Sequence, residues 1–352
     1  MQSNLSKYSN QRVVNFDFLS KLDLSKSVRS KLSLILTNVE RGNDHPVYGP
    51  YVKEGNSDAI FHEWRKIIDS HDLGKRLYNM ELQQEKIIGP RSISLPWSQR
   101  RSLVVEHFKT EVQISNVHKI RSRASEGIKQ NRLRPISLSS ALGFLKSDTN
   151  SGLPQLVKKK LVKDEIYKNF DSYIERKDPC VLFTRTQEMS KTRNVWGYPC
   201  SDTLNEMMFY RPLLNFQKTT GWRNSLLGPE FVDNKISRLL NLARQQDKYV
   251  VSIDFSAYDS TVKAGLQTKA FDYIKSLFQT EYHPSISYIS ERFNNIGLVT
   301  PDGVFLGSHG IPSGSTFTNE VGSIVQYLIA RSFGITDDSL EVQGDDGVYV
   351  TE

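Results

Sequence analysis

Residues 341–350 read Glu-Val-Gln-Gly-Asp-Asp-Gly-Val-Tyr-Val, and this stretch decides the fold. Apolar and polar residues alternate on both sides of its centre, with the period of two that is typical of half-buried β-strands. Gly344 and Gly347 flank two adjacent carboxylates, Asp345 and Asp346. The stretch therefore predicts a β-hairpin with two acids at its tip. The two negative charges repel each other, and a divalent cation would relieve that repulsion.

Asp and Gly are also ordinary turn residues, so a plain surface hairpin is the alternative interpretation. A metal site would need further partners elsewhere in the chain. Residues 249–254 read as a strand that ends in Asp254, and a helical pattern begins about five residues later, at Asp259. If this strand lies beside the hairpin, three carboxylates meet at one end of a sheet. Asp259 would either face the same site or act only as a helix N-cap, a role that Ser260 could also fill.

Length, composition and charge narrow the class of protein. The 352 residues suffice for two or three domains or one large elaborated domain. The 46 Lys and Arg exceed the 39 Asp and Glu, and the formal net charge of +7 is compatible with a polyanionic partner without requiring one. Two cysteines exclude a disulfide scaffold and a cysteine-rich zinc site. Without a run of about 18 apolar residues, a soluble protein in a reducing compartment is the default expectation.

Four further segments carry features suited to nucleic acid. Segment 118–134 has six basic residues against one acid, and it is either a solvated charged face or a phosphate-contacting surface. Segment 149–154 is a loop of small residues in which a Gly permits close backbone approach. Segment 181–199 predicts a hairpin whose cations either reach a triphosphate or keep the hairpin soluble. The Gly- and Ser-rich loop 307–316 leads into a predicted amphipathic helix, whose N-terminus suits a nucleotide or a nucleic-acid backbone.

The three carboxylates are hard oxygen donors that leave coordination positions free, which suits Mg²⁺. Two such ions, about 3.5–4 Å apart, can activate a hydroxyl nucleophile and stabilise a leaving pyrophosphate. Each of these patterns is weak by itself. Their occurrence together and in this order is a specific signal.

In this order the patterns resemble the motifs of viral RNA-dependent RNA polymerases. The segments that carry the resemblance are 254–259 (DFSAYD, motif A), 312–319 (PSGSTFTN, motif B), 344–346 (GDD, motif C), 185–193 (motif F) and 151–154 (SGLP, motif G). The wording KTRNVWGYP at 191–199 is similar to picobirnavirus and partitivirus polymerases, with picobirnavirus the closer. The motifs extend from about residue 149 to the end of the sequence.

The resemblance implies an α+β right-hand polymerase with fingers and a ferredoxin-like palm core. It implies template-directed RNA synthesis in the replication and transcription of a double-stranded RNA virus genome. The implied partners are the RNA template and product duplex, nucleoside triphosphates and a viral capsid protein, with no membrane. The implied location is the virion interior or the host cytoplasm. The implied layout has five parts: 1–117 (N-terminal region and outer fingers), 118–245 (fingers), 246–279 (palm), 280–306 (fingers insertion) and 307–352 (palm).

The resemblance also implies roles for single residues. The implied groups are Asp254, Asp345 and Asp346 for catalysis and for two Mg²⁺ ions, replaceable by Mn²⁺; Asp259, Ser313, Thr318 and Asn319 for the ribose; Arg185, Lys191 and Arg193 for the triphosphate; and Ser151, Gly152 and Gly314 for the template.

The sequence departs from the family pattern in two places. Many relatives have Asn, or Asp in partitiviruses, four residues after the motif B threonine, where this chain has Gly322. The sequence also ends six residues after Asp346. We therefore expect the motif D lysine, motif E and the thumb to be missing. We also expect the isolated chain to bind RNA weakly, to lack processive synthesis and to aggregate.

Two other functions remain as alternatives. Reverse transcriptases usually carry a bulky aromatic residue in motif A and Tyr-x-Asp-Asp in motif C. This chain instead has Asp259 and Gln343-Gly344-Asp345-Asp346, which argues against that class. A non-catalytic RNA-binding or assembly protein could keep the fold without the chemistry. Magnesium-dependent nucleotide incorporation on an RNA template would separate this alternative from a polymerase.

Overall fold

The structure, a computed structural model, describes residues 14–42, 57–87, 94–109, 132–186 and 191–352. Most of the basic segment 118–134 therefore lies outside the described residues, as does 187–190 at the tip of the predicted cationic hairpin. The helices are α1 (Lys26–Arg41), α2 (Ser57–Ser70), α3 (Gly74–Ile87), α4 (Trp97–Phe108), α5 (Leu138–Leu142), α6 (Lys163–Lys168), α7 (Phe170–Glu175), α8 (Cys200–Gln217), α9 (Pro229–Gln246), α10 (Tyr258–Thr261), α11 (Ala264–Leu277), α12 (His283–Asn295) and α13 (Thr318–Ser332). No helix in these ranges is long and apolar enough to cross a bilayer.

Two β-sheets lie among these helices. The strands are β1 (Cys180–Thr186), β2 (Thr192–Gly197), β3 (Tyr249–Ile253), β4 (Leu298–Thr300), β5 (Gly303–Phe305), β6 (Leu340–Gln343) and β7 (Asp346–Thr351). The first sheet has the order β2-β1-β4-β5, and the second has the order β3-β7-β6. The predicted cationic hairpin is thus confirmed as β1–β2. The later hairpin β4–β5 joins its sheet through a parallel pairing of β4 with β1.

The second sheet confirms the predicted placement of the motif A strand beside the Gly-Asp-Asp hairpin. β6 and β7 pair antiparallel up to Gln343 and Asp346, which leaves Gly344 and Asp345 as a two-residue turn. β3 pairs antiparallel with β7, and Ile253 lies opposite Gly347. Asp254, the residue after Ile253, therefore leaves the sheet at the edge where the turn lies.

The prediction that these strands are half-buried is wrong for the hairpin. Leu340, Val342 and Tyr349 pack into the main core with α13, while Val348 and Val350 pack on the other face against α9. Helices thus cover both faces, and an alternating pattern cannot reveal a second cover that comes from another part of the chain. The acid at position 341 is buried as a result, and it accepts hydrogen bonds from Asn224 Nδ2 and the backbone N–H of Ser225.

Helix α13 was predicted to be amphipathic, and this prediction is also wrong. Every residue from Glu320 to Leu328 is buried, so the helix is surrounded by protein over more than two turns. Its polar residues therefore face internal partners instead of water. These partners lie in the site described below.

Candidate active site

The turn between β6 and β7 is held from below by α13. Gly344 has a φ of +64°, a left-handed conformation that favours glycine. Its backbone N–H donates to Ser323 Oγ at 2.7 Å, and its carbonyl accepts from Gln326 Nε2 at 2.7 Å. The backbone N–H and carbonyl of Gly344 are thus both fixed by buried side chains. The adjacent carboxylates of Asp345 and Asp346 face outward.

Asp254, Asp345 and Asp346 are exposed, and their side chains form no hydrogen bond or ion pair with another described residue. Within the described part of the chain, the side chains as they stand form no group of three acidic, His or Cys residues that could hold a metal ion. The donor set nevertheless fits magnesium in its chemistry, because it offers three unpartnered hard oxygen ligands at one sheet edge. These three residues would hold the ions that the family implies.

Asp259 faces the same space from α10. The pKa of its carboxyl group is raised to about 6, chiefly by burial and also by the charge of Asp345, while the charge of Arg193 acts to lower it. The prediction that Asp259 or Ser260 caps a helix is wrong. Helix α10 begins after Ala257 and α11 begins after Lys263, and neither has a side-chain cap. The alternative that Asp259 is only an N-cap is thereby excluded.

The predicted triphosphate cations lie on β1 and β2. Arg185 and Arg193 are directly opposite each other in the strand pairing, and Lys191 lies just before β2. All three side chains are exposed and form no ion pair with a described residue. Like charges opposite each other destabilise a strand pair, so an anion bound between them would stabilise the hairpin. This arrangement fits a polyphosphate.

The motif B loop lies against β2. A Cβ atom on Gly314 would lie 1.8 Å from the carbonyl oxygen of Trp196, so only glycine fits there. Ser313 Oγ accepts from the Trp196 N–H at 3.2 Å. Thr318 Oγ1 lies 2.7 Å from the carbonyl oxygen of Pro312 and 2.9 Å from that of Ser315, so its hydroxyl closes the loop internally. Of these predicted site residues, Ser313 is exposed and Thr318 is half-buried.

The motif G loop lies behind a cleft of about 580 Å³. Ser151 is fully buried, and a Cβ on Gly152 would lie 2.4 Å from the carbonyl oxygen of Tyr198. The structure therefore does not bring these two predicted template residues to the cleft surface. The residues that line the cleft include Lys146, Thr149, Asn150, Lys159, Thr203, Ser313, Gly314 and Thr316.

A buried network under the turn was missed by the sequence reasoning. Arg223 is fully buried and donates to Gln217 Oε1 at 2.7 Å and to Glu320 Oε2 at 2.5 Å. It also donates to Asn319 Oδ1 at 2.7 Å and to Gln343 Oε1 at 2.9 Å. This guanidinium thus joins the end of α8, the start of α13 and the end of β6. A single arginine in a loop has no spacing pattern that could have predicted these contacts.

Glu206 on α8 was missed as well. Its carboxylate is buried and accepts from Ser315 Oγ at 2.8 Å and from the Thr316 N–H at 2.6 Å. Burial raises the pKa of Glu206 to about 7, although the two hydrogen bonds from the motif B loop lower it. The motif B loop is thus held by Glu206 on one side and by β2 on the other.

The paired β3–β7–β6 strands, the cationic hairpin and the cleft beside it are features of a right-hand polymerase. Two crystal structures of the RNA-dependent RNA polymerase of a human picobirnavirus share this fold. One has a TM-score of 0.70 and 22% sequence identity, and the match covers 96% of this chain and 70% of that chain. The other, an insertion-loop deletion mutant, has a TM-score of 0.70 and 24% identity, and covers 97% and 72%.

The family model for viral RNA-dependent RNA polymerases matches residues 71–352, and the chain belongs to this family. A potential RNA-dependent RNA polymerase of a human picobirnavirus is 25% identical over 357 residues. An RNA-directed RNA polymerase of Cryptosporidium parvum virus 1 is 28% identical over 161 residues, or 44% of this chain. The chain spans 64% of the length of the first relative and 30% of the second. The resemblance drawn from the motifs is thus confirmed.

Proposed function

We propose that this chain carries the catalytic core of an RNA-dependent RNA polymerase of a double-stranded RNA virus. The observation that carries this proposal is the pairing of β3 with β7, with Ile253 opposite Gly347. Motif A and motif C are separated by about 90 residues in the sequence, and this register brings their carboxylates to one sheet edge. Asp259 and the cationic hairpin border the same edge, as the charge effects on the Asp259 pKa indicate.

Each group has a physical task in nucleotidyl transfer. Arg185, Lys191 and Arg193 would bind the incoming triphosphate, since a guanidinium can contact two phosphate oxygens at once. The carboxylate of Asp259 would accept a hydrogen bond from the ribose 2′-hydroxyl. The cleft between the motif G loop, β2 and the motif B loop would guide the template. When bound by the three carboxylates, Mg²⁺ would activate the 3′-hydroxyl and neutralise charge on the leaving pyrophosphate.

The test is magnesium-dependent incorporation of radiolabelled nucleotides on an RNA template. We expect Asp254→Asn to abolish incorporation, because it removes one charged ligand from the sheet edge. Asp233→Asn makes the same charge change on the exposed surface of α9 and should leave the rate unchanged. If wild-type protein binds RNA but incorporates nothing with Mg²⁺ or Mn²⁺, a non-catalytic RNA-binding protein is the correct function. The capsid-protein partner and the location in the virion interior or host cytoplasm follow from the resemblance alone and stay predictions.

A further inference from the structure

The side chain of Asn319 lies at the base of the catalytic turn. Its Oδ1 accepts from Arg223 Nη2 at 2.7 Å. On the other side, a Cβ placed on Gly344 would lie 2.9 Å from Asn319 Nδ2. The amide thus has one end at a buried guanidinium and the other end at the turn that carries Asp345.

The chemistry of arginine determines which way this amide points. A guanidinium has five N–H donors and no acceptor, so it can bond only to the oxygen of the amide. The NH₂ group of Asn319 must therefore face Gly344 and the catalytic edge. Gln217, Glu320 and Gln343 accept the other hydrogen bonds of the two terminal nitrogens of Arg223 and hold the guanidinium in place. Its Nε has no hydrogen-bond partner among the described residues.

The position four residues after the motif B threonine, where many relatives have Asn or Asp, is crowded in this chain. At Gly322, an added Cβ would lie 3.2 Å from the ring of Tyr258, and Tyr258 Oη donates to the Gly322 carbonyl at 2.8 Å. The tyrosine ring therefore occupies the space of the missing side chain. Asn319 lies three residues earlier on α13, which is the adjacent position on the same helix face toward the turn.

We infer that Arg223 is a positioning residue for sugar selection: it fixes the Asn319 amide so that its NH₂ group donates to the 2′-oxygen of a ribonucleotide. This inference rests on the proposed function and deepens it. A 2′-hydroxyl both donates and accepts a hydrogen bond. The carboxylate of Asp259 accepts a hydrogen bond from that hydroxyl, and the NH₂ group of Asn319 donates a hydrogen bond to its oxygen. A deoxynucleotide would leave both protein groups without a partner, which is the basis of strong discrimination.

Asn319→Asp tests the direction of the amide with little change in shape. An aspartate still accepts from Arg223, so the melting temperature should equal or exceed that of wild type. It presents an acceptor to the turn in place of a donor. The ratio of kcat/KM for ATP to kcat/KM for dATP, on poly(U) with an oligo(A) primer, should fall roughly 3- to 10-fold, the size of one neutral hydrogen bond. The added charge acts on both nucleotides alike and cancels in this ratio.

Arg223→Lys tests the positioning role, because an ammonium group keeps the charge but cannot hold four separate partners as a planar fork does. It should lower the same ratio by a similar factor and also lower the melting temperature. Asn241→Asp on the exposed face of α9 is the matched control, with the same charge change and no expected effect on the ratio. If Arg223→Lys does not fold, the Asn319→Asp ratio and melting temperature decide the matter.

Equilibrium dissociation constants for ATP and dATP, measured with the same proteins in Mg²⁺, separate this inference from the proposed function. Synthesis by wild type with an unchanged ratio in Asn319→Asp would overturn the inference and leave the polymerase intact. A wild type that makes no RNA but binds ATP more tightly than dATP, with that preference reduced in Asn319→Asp, would support the inference and overturn the polymerase. The absence of both synthesis and ATP preference would overturn both.

Discussion

The turn between β6 and β7 and the Arg223 network beneath it meet at Gln343, and they differ in almost every physical respect. Asp345 and Asp346 are exposed, and their side chains have no hydrogen-bond partner among the described residues. Gln343, immediately before the turn, binds Arg223 and Ser225 Oγ at 2.9 Å each. The side chains suited to the chemistry are thus left without partners, whereas the side chains beneath them are joined to one another through Arg223.

This difference shows how a chain can present like charges side by side and remain folded. The repulsion between carboxylates is confined to an exposed edge, where water screens it. The geometry of that edge is set by buried polar contacts, which are rigid because each partner would be costly to leave unpaired. Substitutions at the turn should therefore mainly lower the rate of nucleotide incorporation, and substitutions in the network should mainly change stability and the choice of sugar.

The largest expected effect is on activity at the turn. Asp345→Asn should lower nucleotide incorporation by roughly 10⁴-fold, or about 5 kcal/mol of transition-state stabilisation, because it removes a charged metal ligand. The melting temperature should stay the same or rise, since one repulsive charge is removed. Filter-binding incorporation assays and circular dichroism measure the two quantities. Near wild-type activity in this variant would show that the Asp345 carboxylate is not needed for incorporation.

The next largest effect is on stability in the network. Arg223→Ala should lower the free energy of unfolding by about 3–5 kcal/mol, because the Glu320 charge is left buried without its partner. Arg101→Ala removes an ion pair with Asp302 in which both side chains are partly exposed to water, and should cost at most about 1 kcal/mol. Urea unfolding of both variants gives the difference. Equal losses would mean that burial of the Arg223 network is not what stabilises the hairpin.

The cationic hairpin should behave like the turn, because the charges that bind the nucleotide lower the stability of the strand pair. Arg193→Ala should raise the KM for nucleotides roughly 10- to 100-fold, and Arg193→Lys should recover only part of this loss, since a lysine contacts one phosphate oxygen at a time. The same alanine variant should be slightly more stable, by about 0.2–1 kcal/mol, because Arg185 no longer faces a like charge. Template affinity serves as the control. Equal losses for template and nucleotide would indicate a general basic surface.

A smaller effect concerns the sugar. Asp259→Ala should narrow the preference for ribonucleotides over deoxynucleotides by roughly tenfold, because the 2′-hydroxyl loses a charged acceptor. The ratio of the two kcat/KM values measures this effect, with Asp302→Ala on the β4–β5 turn as a control away from the carboxylate edge. An unchanged ratio in Asp259→Ala would show that this carboxylate takes no part in sugar recognition.

The smallest effect concerns Glu206, the buried carboxyl group that holds the motif B loop. Its pKa in the folded protein is about 7, against an ordinary 4.5, because it is buried. Between these values the folded state holds a proton that the unfolded state has lost, so this group stabilises less as the pH rises. The melting temperature of wild type relative to Glu206→Gln should therefore fall between pH 5 and pH 8. A constant difference would show that Glu206 does not titrate in this range.

The contrast also explains what the sequence could predict. The turn and its carboxylates were predictable because a hairpin, a period of two and the family motifs all fall on consecutive residues. The contacts of Arg223 span 97 positions to Glu320 and 120 to Gln343, so no local pattern contains them. The all-round burial of α13 and the burial of Glu341 were missed for the same reason. In both cases the covering residues come from distant parts of the chain.

The approach of Gly314 to the Trp196 carbonyl, at 1.8 Å from an imagined Cβ, has a genetic consequence. All glycine codons begin with two guanines, so every single-nucleotide change at this codon is silent, introduces a stop or adds a Cβ. A side chain there would push the motif B loop away from β2 and widen the cleft between them. Position 314 should therefore stay invariant among replicating genomes. An inhibitor that contacts its backbone would leave the virus no simple route to resistance at that residue.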